Sequence, residues 1–466
     1  MNPSEFAIAS VQTLLDGLAN GAWRASDLLE ASLARIDALD RRGPTLRAMT
    51  HIAADEARAA AKASDARRAR GGTIGPLEGI PVLVKDNMDV AGWPTSAGSR
   101  ALAGIVAQCD ADIVSRLRDA GAVLVGKTAM HELAAGITGA SSLTGFARNP
   151  HALDRSPGGS SSGAAVAVAA GYAPIAIGSD TAGSVRIPAA FNHLYGLRAT
   201  RGAVSIRGIV PLSPTQDMPG PLARHPDDVT LAYAVLAGVT AAPAAAPPRL
   251  KIGRLNAWFE YDTPAAAPIA AVADRALQHL AEAGHEAQPV VLEDLQAEVE
   301  AANVIAFEFA EALAADLARR PDSSIASLRE IVDRGLQHPH LTAVFQNRAA
   351  HPGTDSAAYR AACKAQATLR ARILNTLDEE GVDLLTYPTV RYPATELGGT
   401  QSGSNALLAP VTGLPAINLP VGSDTAGAGV GLELLARPGA EALLLSAARV
   451  WQRRAEPWAI PAGLRL

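Results

Sequence analysis

The sequence predicts an α/β fold, a sheet layered between helices, on two observations. Short apolar runs rich in β-branched residues recur from Gly79 onward, and stretches with helical periodicity separate them. In chain order, Leu29, Leu33 and Ile36 fall at i, i+4 and i+7 after a candidate Ser26 cap, which predicts an amphipathic helix over residues 26–40. Helices are expected to dominate the first 70 residues, and Asp65 to Arg70, closed by Gly71-Gly72, reads as a solvated helix end. Ile80-Pro81-Val82-Leu83-Val84 predicts a strand and Ala122-Val123-Leu124-Val125 another, with a helix carrying Ile113, Leu117 and Ala120 between them. Gly163 to Ala170 predicts a helix; Pro174 to Gly178, Leu250 to Leu255, Val290 to Leu292 and Asp383 to Tyr387 predict further strands. The Ala/Pro run from Ala241 to Pro248 reads as a surface connection, and Ile269 to Leu377 as a more helical, more polar region. Within that region Val304, Phe307 and Phe309 suit a pocket wall and a buried structural helix equally well. No repeat of fixed period is present.

Composition narrows the function. A chain of 466 residues can bury a large core without that length deciding the domain count. A net charge of −5 and a pI of about 6.1, with no long block of like charge, argue against a nucleic-acid partner and favour a small neutral or polar substrate. Cys109 and Cys363 stand in unlike contexts without a nearby His, so neither a disulfide framework nor a metal site is indicated. The first twenty residues contain Glu5 and Asp16, no Lys or Arg, and no signal-like apolar run, so a cytoplasmic location is expected. The most apolar stretch, Ala164 to Ile177, is broken by Gly171 and Pro174 and is shorter than the roughly 20 residues a spanning helix needs, so no membrane segment is expected.

Chemistry concentrates in two loops. Ser156-Pro157-Gly158-Gly159-Ser160-Ser161-Ser162-Gly163 and Gly178-Ser179-Asp180-Thr181-Ala182-Gly183-Ser184-Val185-Arg186 are dense in glycines and hydroxyls. A Gly/Ser loop entering a helix leaves several backbone N–H groups aimed at one spot, which suits an anion or a developing oxyanion. Either loop alone is more simply an ordinary turn; two in one α/β chain are a stronger signal. A hydroxyl nucleophile needs a base, and none of the ten histidines forms an obvious partner for a serine. Lys85, directly after an apolar strand, is the alternative, because desolvation lowers a lysine's pKa toward neutrality.

Taken together, Gly79 to Asn87, Pro157 to Gly163, and Asp180 to Pro188 with Gly196-Leu197-Arg198 closely resemble the amidase-signature family of hydrolases. The resemblance extends over nearly the whole chain, through Gly126-Lys127-Thr128, Pro211 to Arg224, Thr412-Gly413-Leu414-Pro415-Ala416 and Gly431 to Gly439. It implies a single α/β/α layered domain over residues 1–466 with a large twisted mixed sheet. In that reading residues 1–75 form an N-terminal helical region, 76–240 the signature core, and 249–466 the rest of the sheet and the pocket region. It further implies a Ser–cis-Ser–Lys triad, with Ser184 as nucleophile, Ser160 as the bridging serine with a cis peptide, and Lys85 as base. The separations of 24 and 75 residues suit that assignment. The backbone N–H groups of Thr181, Ala182, Gly183 and Ser184 would form the oxyanion hole, with Ser161, Asp180 and Arg186 in support. Ala182 and Ser162 stand where the family frequently has Gly, and Ala182 needs a backbone conformation that tolerates a Cβ.

Three other motifs are weaker. Gly121 to Thr128 matches GxxxxGK followed by Thr, yet Ala122 to Val125 is itself strand-like and cannot wrap phosphates. Gly159-Ser160-Ser161-Ser162-Gly163 fits a GxSxG nucleophile elbow with Ser161 attacking, but the preceding Asn149 to Pro157 reads as loop, not strand. Gly427-x-Gly429-x-Gly431 reads as a turn into a strand. The expected activity is hydrolysis of a small carboxamide or anilide with neither a metal nor an organic cofactor. A carbamate or urea-type bond is the runner-up, and the glutamine-hydrolysing component of an amidotransferase complex follows. Pocket walls are expected from Met130 to Ser142 and from roughly Ala301 to Gly403, and a homodimer is the expected assembly.

Overall fold

The computed structural model describes residues 1–240, 249–259, 263–456 and 458–465, so the Ala241 to Pro248 connection lies outside the described residues. Helices α1 (Pro3–Ile8), α2 (Val11–Ala19), α3 (Ala25–Ile36) and α4 (Ala54–Ala69) dominate the N-terminal region as expected, with strand β1 (Met49–Ile52) between the last two. Ser26 is not the cap of α3. It sits in the first turn, and its hydroxyl and N–H, with the N–H of Ala25, are bound by the Asp65 carboxylate of α4. An acid from a neighbouring helix therefore satisfies the orphan donors of α3, so Asp65 is more than part of a solvated end. Arg67, its side chain 42 % exposed, and half-buried Arg68 likewise bind the side chain and the carbonyl of Glu78.

The chain then alternates strand and helix. It runs β2 (Pro81–Lys85), α5 (Asp112–Asp119), β3 (Val123–Thr128), the small hairpin β4 (Ala140–Ser141) and β5 (Gly145–Phe146), α6 (Ser162–Ala169), and β6 (Ile175–Asp180). After these come α7 (Arg186–Phe191), β7 (Tyr195–Arg198), β8 (Met218–Ala223), α8 (Pro226–Ala237) and β9 (Lys251–Leu255). Next are α9 (Ala267–Glu282), β10 (Glu286–Val290), and a helical excursion of α10 (Leu295–Ala301), α11 (Ile305–Leu317), α12 (Leu328–Asp333), α13 (Thr342–Ala349) and α14 (Ala357–Glu379). The chain closes with β11 (Leu384–Pro388), α15 (Leu408–Thr412), β12 (Ala416–Ser423), β13 (Gly429–Leu435) and α16 (Glu441–Gln452). Strand β10 lies earlier than the expected Val290 to Leu292. It is a strand at the sheet edge with Ala287 and Pro289 exposed, Glu286 and Gln288 half-buried and only Val290 buried, so its apolar signal is weak.

Eleven strands form one mixed sheet in the order β1-β3-β2-β6-β8-β7-β12-β13-β11-β9-β10. Strand β2 is parallel to both β3 and β6, whereas β6–β8, β8–β7, β7–β12 and β12–β13 are antiparallel. Helix α6 is made of Ser, Gly, Ala and Val, buried on every side, and it packs on β2, β3, β6 and β8. Its Gly163 is required by close approach: a Cβ there would lie 2.4 Å from the Ala48 carbonyl oxygen and 2.5 Å from the Ala129 nitrogen. A second apolar cluster is built from Phe309, Leu313 and Phe345 of the excursion against Met130, Leu133, Val210 and Leu212, and Ala182 packs on it. No described helix is long and apolar enough to cross a membrane. Cys109 is exposed and Cys363 half-buried, both as free thiols.

Candidate active site

Lys85 ends β2 in the middle of the parallel β3–β2–β6 ladder, where every residue of the strand is buried. Its Nζ lies 2.7 Å from Ser160 Oγ, 2.9 Å from Ser179 Oγ and 3.2 Å from the Ser179 carbonyl oxygen. Burial pushes its pKa down to about 7, against the opposing pull of Asp180 and Asp217. Asn87, two residues on, donates from Nδ2 to Ser179 Oγ at 3.0 Å and so fixes the hydroxyl that the amine faces.

The two Gly/Ser loops meet beside this amine. Gly158 takes φ +75°, the peptide between Gly159 and Ser160 is cis, and the Ser160 carbonyl accepts the His131 N–H at 2.9 Å. Ser161 stands at the N-terminal boundary of α6, and its N–H donates to the Ser184 carbonyl at 3.1 Å, which brings the loops into register. Its hydroxyl donates to the Ser179 carbonyl at 3.2 Å and accepts the Ser179 N–H at 3.3 Å. Ser161 is thus occupied in pinning the end of β6, which leaves it poorly placed for the elbow role. Ser160 and Ser184 are both buried, with Ser184 retaining 2 % exposure.

Asp180 organises the second loop. Its carboxylate accepts the N–H of Gly183 at 3.0 Å and of Val185 at 3.1 Å, and it forms two 3.1 Å bonds with Arg186. Arg198 adds a bond to the Asp180 carbonyl and another to Oδ1 at 3.3 Å, while Arg186 also pairs with Glu433 of β13. Burial disfavours the charged forms, yet Arg186 and Arg198 hold the Asp180 carboxyl well below the usual range. Because the Gly183 N–H is directed at Asp180, it serves the turn, which departs from the expectation that all four loop N–H groups face one oxyanion. The N–H groups of Thr181, Ala182 and Ser184 are not engaged in this way. Gly183 itself is required: φ is +101°, and a Cβ would lie 2.3 Å from the Ala406 Cβ. Ala182 does not share that conformation, so its methyl is tolerated and joins the second apolar cluster.

Several contributors carry no motif of their own. The Thr181 hydroxyl donates to Asp217 Oδ1 at 2.5 Å, and Gln216 Nε2 donates to the Thr181 carbonyl at 3.1 Å, so consecutive residues grip the loop from two sides. Burial raises the Asp217 carboxyl to about 6, against the stabilising bonds from Thr181, Leu212 and Ser213. Ser179 lies in the second Gly/Ser loop and Asn87, Gln216, Asp217 and Glu433 in stretches that carry the family resemblance, but their roles, like that of His131, come only from the fold. The available sequence signals were that Ser179 precedes Asp180 and that Asn87 follows Lys85 by two. Lys127, from the phosphate-loop look-alike, is a buried strand residue whose Nζ bonds Pro94, Thr95 and Asp86. The third look-alike is a turn entering β13. Among the described residues no cluster of His, Cys, Asp or Glu could hold a metal.

With this geometry in hand, the relatives are informative. The amidase family model matches residues 27–445. A glutamyl-tRNA(Gln) amidotransferase subunit from Symbiobacterium thermophilum is 35% identical over 467 residues, covering 93% of this chain and 94% of the relative. The native peptide amidase of Stenotrophomonas maltophilia superposes with a TM-score of 0.86 at 32% identity, covering 97% of this chain and 98% of that one. A bacterial aryl acylamidase of the amidase-signature enzymes shares the fold at 24% identity, with a TM-score of 0.83 over 98% of this chain and 99% of that one.

Proposed function

This chain belongs to the amidase-signature family, and from that premise we propose that it hydrolyses the acyl carbon–nitrogen bond of a small carboxamide or anilide through a serine acyl-enzyme. The observation that carries this reading is the buried Lys85 Nζ, 2.7 Å from Ser160 Oγ and with a pKa of about 7. A neutral amine has two hydrogens and one lone pair. The Ser179 carbonyl and hydroxyl take the hydrogens, which leaves the lone pair for the Ser160 O–H. Ser160 passes its proton to Lys85 while taking that of Ser184, and Ser184 Oγ attacks the carbonyl carbon. Backbone N–H groups of the Thr181 to Ser184 loop stabilise the oxyanion, and each such donor is worth about 2.7–4 kcal/mol of barrier. Collapse of the tetrahedral adduct breaks the carbon–nitrogen bond, with the proton returned through Ser160 to the leaving nitrogen. Water then repeats the sequence on the ester and regenerates Ser184.

The same carbonyl chemistry serves a carbamate or a urea, and the relatives named as components of an amidotransferase make glutamine a further candidate. One experiment separates these. 4-Nitroaniline release is followed from matched amide, carbamate and urea substrates, beside ammonia release from glutamine, with Ser184→Ala as control. Fastest turnover of the amide, abolished in Ser184→Ala, is the expected result. Carbamate preference or glutamine turnover alone would replace the amide reading, and an active Ser184→Ala would remove Ser184 as nucleophile.

A further inference from the structure

His131 stands three residues beyond β3, and it is buried with only 3 % exposure. Three consecutive backbone N–H groups converge on its Nδ1: Thr138 at 3.3 Å, Gly139 at 3.2 Å and Ala140 at 3.3 Å. A ring nitrogen that accepts carries no proton, so the neutral ring holds its proton on Nε2. Burial pushes the imidazole pKa down to about 3, and the charges of Arg348, His338, Lys85 and His340 act in the same direction. The ring therefore stays an uncharged acceptor near neutral pH. Nε2 is itself buried without a partner. A donor left bare in the interior costs stability, so the ring is placed for what Nδ1 holds.

The segment held in this way lies against the reacting loop. A Cβ on Gly159 would sit 3.1 Å from the Gly139 nitrogen and 3.2 Å from that of Thr138, and Ser156 Oγ donates to the Thr138 carbonyl at 3.3 Å. The backbone N–H of His131 reaches the same loop directly, at the Ser160 carbonyl 2.9 Å away, and Ser160 Oγ is 2.7 Å from Lys85 Nζ. One residue thus touches the bridging serine through its main chain and braces the turn behind it through its side chain. The chain bends sharply to allow this. Leu133 and Ala134 take φ of +51° and +56°, and Gly136 passes so close to the ring that a Cβ there would lie 2.4 Å from Nε2. Left-handed backbone at two successive residues that carry a Cβ persists only where the surroundings impose it.

We infer that His131 is a positioning residue for acyl transfer: as an uncharged acceptor it locks residues 138–140 against the Gly159-Ser160 loop and so keeps Ser160 Oγ on the Lys85 amine. The inference rests on the serine acyl-enzyme reading. The absence of charge matters as much as the lone pair. A carboxylate at this place could collect the same N–H groups, but it would join Asp180 and Asp217 in raising the pKa of Lys85 and so hold the amine protonated. The neighbouring Glu132 carboxylate is engaged by Ser99 Oγ at 2.6 Å, the His338 N–H at 2.9 Å and the Ser142 N–H at 3.1 Å.

The test compares three variants. His131→Leu removes the acceptor, His131→Asn offers Oδ1 to the same N–H groups without charge, and His131→Asp offers it with charge. Capture of Ser184 by a fluorophosphonate, located by mass spectrometry with Ser184→Ala as blank, is timed beside 4-nitroanilide turnover. Rates are referred to the folded fraction from circular dichroism. His131→Leu should slow capture and kcat about 10–100-fold with KM within about twofold, and His131→Asn should recover to within about threefold of wild type. His131→Asp should remain active but move the rising limb of the pH–rate profile up by about half a unit or more, with the Asn limb unmoved. A Leu variant as fast as wild type overturns the inference, and so does an Asn variant no faster than Leu. Should the Leu variant fail to fold, the other two still decide, since an Asn variant slowed about tenfold or an Asp limb in the wild-type position overturns it. No capture of Ser184 in the wild type would sink the acyl-enzyme reading and this inference with it, whereas capture indifferent to residue 131 would sink the inference alone.

Discussion

At Lys85 the chemistry and the thermodynamics of one residue can be checked against each other. Its folded pKa of about 7 lies below the ordinary 10.5, so between those values the unfolded chain holds a proton that the folded chain lacks. Stability therefore rises with pH across that window, by on the order of 1.4 kcal/mol per unit, and the contribution is lost as pH falls toward 7. Lys85→Met should remove this slope, seen as a smaller stability gain between pH 7.5 and 9.5 in urea unfolding. The rate should climb through an apparent pKa near 7 in the wild type, and Lys85→Met should lose about 10²–10⁴ in kcat along with that limb. An unchanged slope together with an unchanged pH–rate profile would mean that the amine stays charged and is not the base. Lys85 was legible from the two serine loops and the family resemblance taken with its place after an apolar strand; that place alone also fits a plain surface lysine. The pairing of Lys85 with Ser179 was not legible, since it appears only once β6 is laid parallel beside β2.

At the scale of elements, the oxyanion loop is held by its neighbours as well as by its own sequence. Strand β8 lies antiparallel to β6 with Met218 opposite Asp180, and this register alone puts Gln216 and Asp217 beside Thr181. Gln216 also accepts from the Val304 N–H at 3.0 Å and from Gln366 Nε2 at 3.3 Å, so one side chain ties the loop to the start of α11 and to α14. Gln216→Leu should leave the Val304 N–H and the Thr181 carbonyl unpaired, costing about 2–4 kcal/mol of stability. It should also lower kcat about tenfold with little change in KM, the signature of a donor misplaced in the transition state. Thermal unfolding and steady-state kinetics on the same protein decide this; lost stability with full kcat would show that the link is structural only. The helical periodicity of the excursion was readable. Val304 and Phe309 are buried core, as the structural-helix reading of that stretch has it. Neither Gln216 nor Asp217 could be found in advance, because an amide and an acid after Ser213-Pro214-Thr215 acquire meaning only from strand register.

At the scale of the whole molecule, the candidate site straddles a seam between the first 240 residues and the rest. Strand β7 pairs with β12 through Gly196–Asn418, Leu197–Ile417 and Arg198–Ala416, and this joins the two parts into one sheet. Asn418 reinforces the join by donating to the Leu194 carbonyl at 2.9 Å. Arg186 reaches across it to Glu433 and to the Ala406 carbonyl at 2.7 Å, so the charge balance around Asp180 is completed only by the second part. Neither part alone would satisfy those groups: the first would leave β7 with an open edge and Arg186 short of one carboxylate, and the second would leave Glu433 buried without its cation. Chains of this size often unfold in stages. Here the shared sheet and the shared ion network predict one cooperative transition, with a calorimetric enthalpy close to the van't Hoff value in scanning calorimetry under reversible conditions. Glu433→Gln should lower that single transition by removing the charge that Arg186 faces, and should lower kcat because Arg186 orients Asp180. Two resolved transitions in the wild type, only one of them moved by Glu433→Gln, would show that the seam is too weak to couple the parts and that the site is held chiefly by the first.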